Sequence, residues 1–160
     1  MDFPAVRPRP CATLPALVAG LGVAPREVLA TLRDYVVVYE DPKVILAIQP
    51  DHGILATLDR PGVAITAPAA GMAEGKDFIS RFFAPGLGVP EDPVTGSAHC
   101  TLAPYWASRL GRSVLSARQV SKRGGDIRCA MQGDRVHLSG HAVTFLIGEI
   151  ELPVEGTGLA

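Results

Sequence analysis

Glycine and proline occur along the whole length of this 160-residue chain, with 17 glycines and 14 prolines in no fixed period. Such frequent breakers rule out a collagen helix, a coiled coil or a bundle of long helices, and they favour many short elements joined by tight turns. Hydrophobic residues make up 48% and charged residues 19% of the chain, which is enough apolar material for a core. We therefore expect residues 1–160 to form a single, strand-rich domain.

Charge and cysteine content narrow the range of partners. Fifteen basic and 16 acidic residues give a net charge of -1, so the chain lacks the basic field that nucleic acid or an anionic membrane requires. No segment reaches the ~18 uninterrupted apolar residues of a membrane span. The three cysteines, Cys11, Cys100 and Cys129, fit neither a disulfide framework nor a metal site and indicate a reducing cytoplasm. The expected partner is a small molecule or another protein.

The first half of the chain contains several short apolar runs. Leu14–Ala19 and Pro25–Leu32 are predicted to be helices, the second because proline at its first turn favours a helix start. Two β-branched runs are predicted to pair as an antiparallel hairpin, and Asp51 to cap a short helix. The predicted strands of this half are Tyr35–Tyr39, Val44–Ile48, Gly62–Pro68 and Asp77–Phe83.

The second half is predicted to hold one long helix followed by strands. Ser97–Leu110 is apolar on most faces, which is typical of a helix that other elements surround. Pro104 within it is expected to cost one backbone hydrogen bond and to kink the axis. The sequence has no strand–helix–strand repeat of the kind that would indicate a parallel sheet. We therefore expect an α+β fold in which an antiparallel sheet curls, barrel-like, around one central helix. The predicted strands here are Leu115–Ser121, Ile127–Met131, Arg135–Leu138 and Ala142–Leu152.

The densest group of functional side chains lies where a loop enters the long helix, at residues 91–99, Glu-Asp-Pro-Val-Thr-Gly-Ser-Ala-His. The first N–H groups of a helix have no intrahelical partner, so this end can bind a carboxylate or a phosphate. Gly96 would allow close approach of a ligand, Thr95 or Ser97 could cap the helix or donate a hydroxyl, and Asp92 could relay a proton. Alternatively, Glu91 and Asp92 merely begin a proline-containing turn, and Thr95 or Ser97 is an ordinary N-cap.

Three other kinds of site do not fit the sequence. Residues 96–99 read Gly-Ser-Ala-His, which lacks the last glycine of a hydrolase elbow. Gly86-Leu87-Gly88 lacks the third glycine of a dinucleotide-binding loop. The neighbours His99 and Cys100 lack the spacing of a zinc site, and the other histidines form no ligand cluster. We therefore expect no metal site, and we expect histidines that lie at the surface or have their hydrogen bonds satisfied.

Several ordered motifs closely resemble the phenazine-biosynthesis (PhzF-like) isomerase/epimerase family. The likeness begins at Asp2-Phe3-Pro4, returns at residues 49–51, and is densest at residues 81–85 and 91–99. It continues through Tyr105-Trp106 and residues 119–125, Gln-Val-Ser-Lys-Arg-Gly-Gly, so it spans nearly the whole chain. The order and number of these motifs make the resemblance specific.

The resemblance implies a fold like that of diaminopimelate epimerase, in which two similar halves enclose the active site between them. It also implies acid–base proton transfer on a small carboxylate-bearing substrate, with no metal and no organic cofactor. Asp92 would be the carboxylate that assists proton transfer, and Thr95, Gly96 and Ser97 would bind substrate. The turn Arg123-Gly124-Gly125 would support the site.

The chain departs from the family pattern at its start. In the family, the principal acid–base glutamate lies in the first half, before an Asp-Phe-Pro linker, and this sequence begins at Met1-Asp2-Phe3-Pro4. The chain is therefore expected to be the C-terminal half of such an isomerase or epimerase, inactive without an N-terminal half. Its partner would be a separate N-terminal-half polypeptide or a second copy of itself. The alternatives are a non-catalytic module that binds a small carboxylate or self-associates, and a stand-alone homodimeric epimerase.

Overall fold

A computed structural model describes residues 1–152. Ten strands, four α-helices and one 3-10 turn follow one another in these residues. In chain order they are β1 (Asp2–Pro4), β2 (Arg9–Pro10), α1 (Pro15–Leu21), β3 (Glu27–Ala30), β4 (Asp34–Val38), α2 (Pro42–Ala47), α3 (His52–Leu55), β5 (Gly62–Pro68), β6 (Phe78–Ala84), the 3-10 turn (Pro85–Leu87), β7 (Val89–Asp92), α4 (Gly96–Leu110), β8 (Val114–Gln119), β9 (Gly125–Gln132) and β10 (Arg135–Ser139).

The strands form one mixed sheet in the order β1-β10-β9-β8-β6-β5-β4-β3-β2, with β7 paired to β6 beside this path. Most neighbouring pairs are antiparallel, but β4 and β5 run parallel, as do β6 and β8. The expectation of a purely antiparallel sheet is therefore corrected at two places. In each place a helical connection links the two parallel strands, α2 and α3 in the first and α4 in the second.

The first parallel pair exists because Pro42–Ala47 is a helix, whereas the β-branched run Val44–Ile48 predicts a strand, and that prediction is wrong. Asp41 caps this helix by accepting a hydrogen bond from the Lys43 N–H at 2.8 Å, and Pro42 occupies the first helical position. These end signals outweigh the strand preference of the β-branched side chains. With a helix in this place there is no hairpin, and the chain returns parallel to β4.

Two other predictions of elements are also wrong. Pro25–Leu32 does not form a helix; its central residues, Glu27–Ala30, pair with β4 as strand β3. Ala142–Leu152 forms no strand and is exposed along its length. The strand at Gly62–Pro68 is confirmed, and the short helix capped by Asp51 is confirmed as α3, where the Asp51 carboxylate accepts from the Ile54 N–H.

The sheet buries apolar side chains on both faces in its middle strands. In β6, Phe78 and Phe82 pack in one cluster and Ile79 and Phe83 in the other, as their alternation predicts. The first cluster surrounds α4 and draws residues from β3 to β10, so the sheet is curled into a half-barrel around that helix. The second cluster packs α1, α2 and α3 on the outer face. The expected single central helix is thus joined by three short outer helices.

Helix α4 runs without interruption through Pro104. Proline lacks the N–H that would bond to the carbonyl of Cys100, four residues earlier. That carbonyl instead accepts a hydrogen bond from the Val6 N–H at 2.9 Å. The segment after β1 therefore replaces the missing helical bond. None of the helices formed by residues 1–152 has the length and apolar character needed to cross a membrane.

Candidate functional site

The loop between β7 and α4 holds the Asp92 carboxylate in a fixed position. Asp92 is the last residue of β7 and is half-buried, while Thr95 immediately precedes α4 and is buried. The Thr95 hydroxyl donates a hydrogen bond to Oδ2 of Asp92 at 2.5 Å. Among the hydrogen bonds of residues 1–152, Oδ2 is the only carboxylate oxygen of Asp92 in use. The other oxygen, Oδ1, is free to meet a ligand.

Gln119, at the end of β8, fixes this loop from beneath. Its side chain is fully buried. The amide nitrogen donates to the Asp92 carbonyl at 2.6 Å and to the Thr95 hydroxyl at 3.2 Å, and the amide oxygen accepts from the Thr95 N–H at 2.9 Å. One side chain therefore ties both ends of the Asp92–Thr95 loop to the sheet. A buried amide with all these partners also limits the movement of the Asp92 carboxylate.

Glu91 and Asp92 are adjacent, but their environments differ. The Glu91 carboxylate receives two hydrogen bonds from the Arg81 guanidinium, at 2.7 and 3.1 Å. Arg81 also donates to the carbonyls of Ile45 and Ile48 at the end of α2. Glu91 is thus engaged in a structural ion pair between β6, β7 and α2. Asp92 is the carboxylate of the two that remains available for chemistry.

The first turn of α4 is open. Thr95 is its N-cap residue, but no side chain caps the helix because the Thr95 hydroxyl bonds to Asp92. Gly96 and Ser97 are exposed, and a methyl group placed on Gly96 would meet no other atom within 4 Å. The unpaired N–H groups and the dipole of this 15-residue helix give its start a partial positive charge.

The turn Arg123-Gly124-Gly125 packs against the Asp92–Thr95 loop from the other side. The Ser121 hydroxyl donates to the Pro93 carbonyl at 2.7 Å and accepts from the Gly124 N–H at 3.0 Å. Gly124 has φ +69°, and a methyl group on Gly125 would lie 2.4 Å from Cγ2 of Val94. Both glycines are therefore required, one by its backbone conformation and the other by close packing.

Two shallow cavities flank the loop, and Arg123 lines both. One, of about 560 Å³, contains Gly96, Val94 and the Arg123–Gly125 turn, and it extends to β10 and Met1. The other, of about 500 Å³, lies beside Glu91, Pro93 and Lys122. Asp92, Thr95 and Ser97 line neither cavity, although their loop neighbours Pro93, Val94 and Gly96 do. Arg123 and Lys122 are exposed and add positive charge to the same surface.

His99 lies one turn into α4, beneath the loop. It is fully buried, stacks on Phe78 with ring centroids 6.0 Å apart, and places Nδ1 2.7 Å from the Thr95 carbonyl oxygen. Burial lowers the pKa of His99 to about 4. The ring is therefore neutral near pH 7, with the proton on Nδ1, because a carbonyl oxygen only accepts. Nε2 is a buried acceptor that meets no partner among residues 1–152.

The structure brings all the residues predicted for the site to one end of α4. Asp92, Thr95, Gly96 and Ser97 lie at the loop-to-helix junction, and the Arg123–Gly125 turn packs on it. Sequence reasoning missed the part played by Gln119. The sequence does contain a signal for it. Gln119 is a polar residue on the same inward face of β8 as Leu115 and Ala117. No group of three potential metal ligands occurs in the described part of the chain.

Comparison with known proteins gives a consistent set of relatives. The family model for phenazine biosynthesis-like proteins, PhzC-PhzF, matches residues 11–148. An uncharacterized isomerase of Pseudomonas aeruginosa is 51% identical over 152 residues, which is 95% of this chain and 57% of that protein. An uncharacterized isomerase of Halalkalibacterium halodurans is 40% identical over 153 residues, again 95% of this chain and 57% of that protein.

Solved structures resemble the chain over the same extent. A PhzF-family phenazine biosynthesis protein of Enterococcus faecalis superposes with a TM-score of 0.85 at 41% identity, covering 95% of this chain and 57% of that one. A putative phenazine biosynthesis PhzC/PhzF protein of Clostridium difficile gives a TM-score of 0.82 at 36% identity, with the same coverage. The chain thus spans a little over half the length of the proteins it matches.

Proposed function

Because the chain belongs to the PhzC-PhzF family of phenazine biosynthesis-like proteins, we propose that it supplies half of the active site of a cofactor-independent isomerase or epimerase. The substrate is a small carboxylate, and the reaction moves a proton by acid–base chemistry. The other half of the site comes from a polypeptide equivalent to the part of the relatives that this chain does not match. We call that part of the P. aeruginosa relative the complementary half.

One observation carries the proposal: Asp92 presents a free carboxylate oxygen beside the open N-terminus of α4. The Thr95 hydroxyl and Gln119 hold the other oxygen and the backbone of the loop. A carboxylate fixed in this way loses little conformational freedom when it accepts or donates a proton. Rigid placement of an otherwise unengaged acid is the feature that proton transfer requires.

The helix start provides the complementary binding function. A substrate carboxylate would accept hydrogen bonds from the N–H groups of Gly96 and Ser97, where the helix dipole favours negative charge. The Ser97 hydroxyl is exposed and adds a further donor. A substrate bound in this way would have its reacting carbon close to Asp92, since the Thr95 hydroxyl at the helix start bonds to that carboxylate. Thr95, whose hydroxyl already bonds to Asp92, acts by orienting the carboxylate.

An isomerisation or epimerisation needs two proton-handling groups, one that removes a proton from carbon and one that delivers a proton to another face or atom. Asp92 is one such group. Glu91 is committed to Arg81, so it does not serve as the second. We assign the second group to the complementary half, which makes this chain alone inactive.

Solvent deuterium incorporation tests the proposal. The chain, the complementary half and their mixture are incubated in deuterium oxide with small carboxylates that carry an acidic C–H, and the label is measured by mass spectrometry. The mixture is expected to exchange substrate protons, whereas each component alone is not. Asp92→Asn should abolish the exchange because the amide cannot take up the proton.

Asp134→Asn is the matched control, since Asp134 is exposed in the β9–β10 turn, and it should exchange at the wild-type rate. Binding of a carboxylate by the chain, without exchange in any mixture, would favour a non-catalytic binding module instead. Exchange by the chain alone would show that proton transfer does not require the complementary half and would overturn the half-site assignment.

A further inference from the structure

Two adjacent basic residues beside the candidate site have no ionic partner in the described part of the chain. Lys122 and Arg123 are exposed, and neither forms a salt bridge within residues 1–152. Most of the other basic side chains of these residues do form one. The chain as a whole has a net charge of -1, so the pair is a local concentration of unused positive charge.

The acidic side chains near this pair do not neutralise it. Glu91 is bonded to Arg81 at 2.7 Å, and Asp126 lies between two other basic side chains, at 3.1 and 2.8 Å. The Asp92 carboxylate accepts a hydrogen bond from the Thr95 hydroxyl and has no cationic partner among residues 1–152. Positive charge therefore exceeds negative charge on the surface around the Asp92–Thr95 loop, which favours the binding of anions.

The backbone that carries the two cations is fixed against the candidate site. The Ser121 hydroxyl donates to the Pro93 carbonyl at 2.7 Å and accepts from the Gly124 N–H at 3.0 Å. These two bonds close the turn that contains Lys122 and Arg123 and tie it to the loop. A ligand that met the two cations would therefore have to order only their side chains.

The two cavities beside the loop place these cations where the far end of a bound substrate would lie. Arg123 lines the cavity of about 560 Å³ that contains Gly96, and it also lines the cavity of about 500 Å³ that contains Lys122. A guanidinium can donate two parallel hydrogen bonds to a carboxylate or a phosphate, and an ammonium adds a compact positive charge. A molecule whose first carboxylate bound at the start of α4 could thus bring a second anionic group to Arg123 and Lys122.

We infer that Lys122 and Arg123 bind a second anionic group of the substrate, a carboxylate or a phosphate, and so select substrates that carry two such groups. The inference rests on the proposed function, in which the first carboxylate binds at the N–H groups of Gly96 and Ser97. The reacting carbon then lies between the two anionic groups, beside Asp92. Lys122 and Arg123 determine specificity in this arrangement and transfer no proton.

Binding of succinate and succinamate to the chain tests the inference. Succinamate has the length of succinate, but an amide replaces one carboxylate, so it carries one negative charge fewer. The affinities are measured by NMR from the backbone amide signals of Gly96 and Ser97. Succinate should bind about fivefold more tightly than succinamate, or better. Phosphonopropionate in the same assay distinguishes the two kinds of second group, since it binds more tightly than succinate if a phosphate is preferred.

The double variant Lys122→Gln with Arg123→Gln should lose this preference, so that succinate and succinamate bind within about twofold of each other. The matched control is Lys43→Gln with Arg128→Gln. Lys43 and Arg128 are exposed and line neither cavity, and their replacement removes the same amount of charge. The control should keep the wild-type preference, and both double variants should melt at the wild-type Tm because all four side chains are exposed.

Three results would overturn the inference: equal affinities of the wild type for succinate and succinamate, a preference that survives in Lys122→Gln with Arg123→Gln, or a preference that the control loses equally. Succinate that binds neither the chain nor its mixture with the complementary half would also overturn it. Deuterium exchange in the mixture that is equally fast with both double variants would leave the proposed function standing without the second anion site. A preference for succinate that depends on the two cations, with no exchange in any mixture, would remove the catalytic function alone.

Discussion

At the scale of single residues, the candidate site depends on the buried amide of Gln119. The position of Asp92, Gly96 and Ser97 at the start of α4 could be predicted from the sequence, because a polar loop that enters an apolar helix has a recognisable pattern. Gln119 could not be assigned a contact, since its partners lie 24 and 27 residues away and meet it only through the pairing of β8 with the rest of the sheet. Long-range contacts of this kind are set by tertiary structure and not by local pattern.

Replacing Gln119 by leucine is expected to lower the free energy of unfolding by about 2 to 4 kcal/mol. The buried Thr95 N–H loses its acceptor, which costs about 1–3 kcal/mol for a buried group left without a partner. The half-buried Asp92 carbonyl loses a donor, which costs about 1 kcal/mol, as for a typical hydrogen bond. Urea denaturation measures the change. Gln132→Leu, at an exposed end of β9, is the control and should stay within about 0.5 kcal/mol of the wild type. Equal stability of the two variants would contradict the role given to Gln119.

His99 predicts a specific dependence of stability on pH. Burial lowers its pKa from 6.5 to about 4 in the folded chain, so between these values the unfolded chain binds a proton that the folded chain does not. The free energy of unfolding therefore falls as pH decreases from about 6.5 to 4, by about 3 kcal/mol from this group.

The variant His99→Leu should lose this part of the pH dependence, whereas the exposed control His141→Leu should keep it. Urea unfolding at a series of pH values gives the slopes. A slope between pH 4 and 6.5 that is the same for His99→Leu and the wild type would show that the imidazole does not titrate in this way.

At the scale of helices and strands, capping residues and tertiary contacts determine the structure of the segments whose secondary-structure propensity predicts the wrong element. The run from Val44 to Ile48 favours a strand by composition, yet Asp41 and Pro42 start a helix there, and Arg81 bonds to the carbonyls at its end. Glu27–Ala30 is a strand because β4 pairs with it along its length. The long helix was predictable because its apolar run, its glycine stop and its polar start agree with one another.

The packing of two loops at the start of α4 gives a prediction at this scale. Gly125→Ala should destabilise the fold by about 1–3 kcal/mol, because the new methyl group would lie 2.4 Å from Cγ2 of Val94. Gly86→Ala is the control, since its methyl group would approach nothing closer than 3.8 Å.

Adding Val94→Ala to Gly125→Ala should relieve the clash, so the double variant should be more stable than the sum of the single effects predicts. Thermal or urea denaturation of the four proteins measures the coupling. Strict additivity would show that the two loops do not press on each other as the structure indicates.

At the scale of the whole molecule, an α+β fold with a sheet curled around α4 could be predicted, but the order and directions of its strands could not. The two parallel pairs require long connections, and the sequence shows which segments are apolar without showing which strands they bring together. The outer helices α1, α2 and α3 also turn the middle of the sheet into a layer buried on both faces. This explains why β4 continues after Asp34 as an uninterrupted run of buried Tyr and Val side chains, at residues 35–38, instead of alternating.

If this chain contributes one half of a shared active site, the rate of deuterium exchange must depend on both halves, and a titration measures that dependence. The chain is held at a fixed concentration while the complementary half is added, and the initial rate of label incorporation into the carboxylate substrate is measured. We predict a rate that is zero without the complementary half, rises with its concentration and saturates at one equivalent, and that is lost in Asp92→Asn. A rate that is proportional to this chain alone, or that is unchanged in Asp92→Asn at saturation, would show that the active site is not shared in this way.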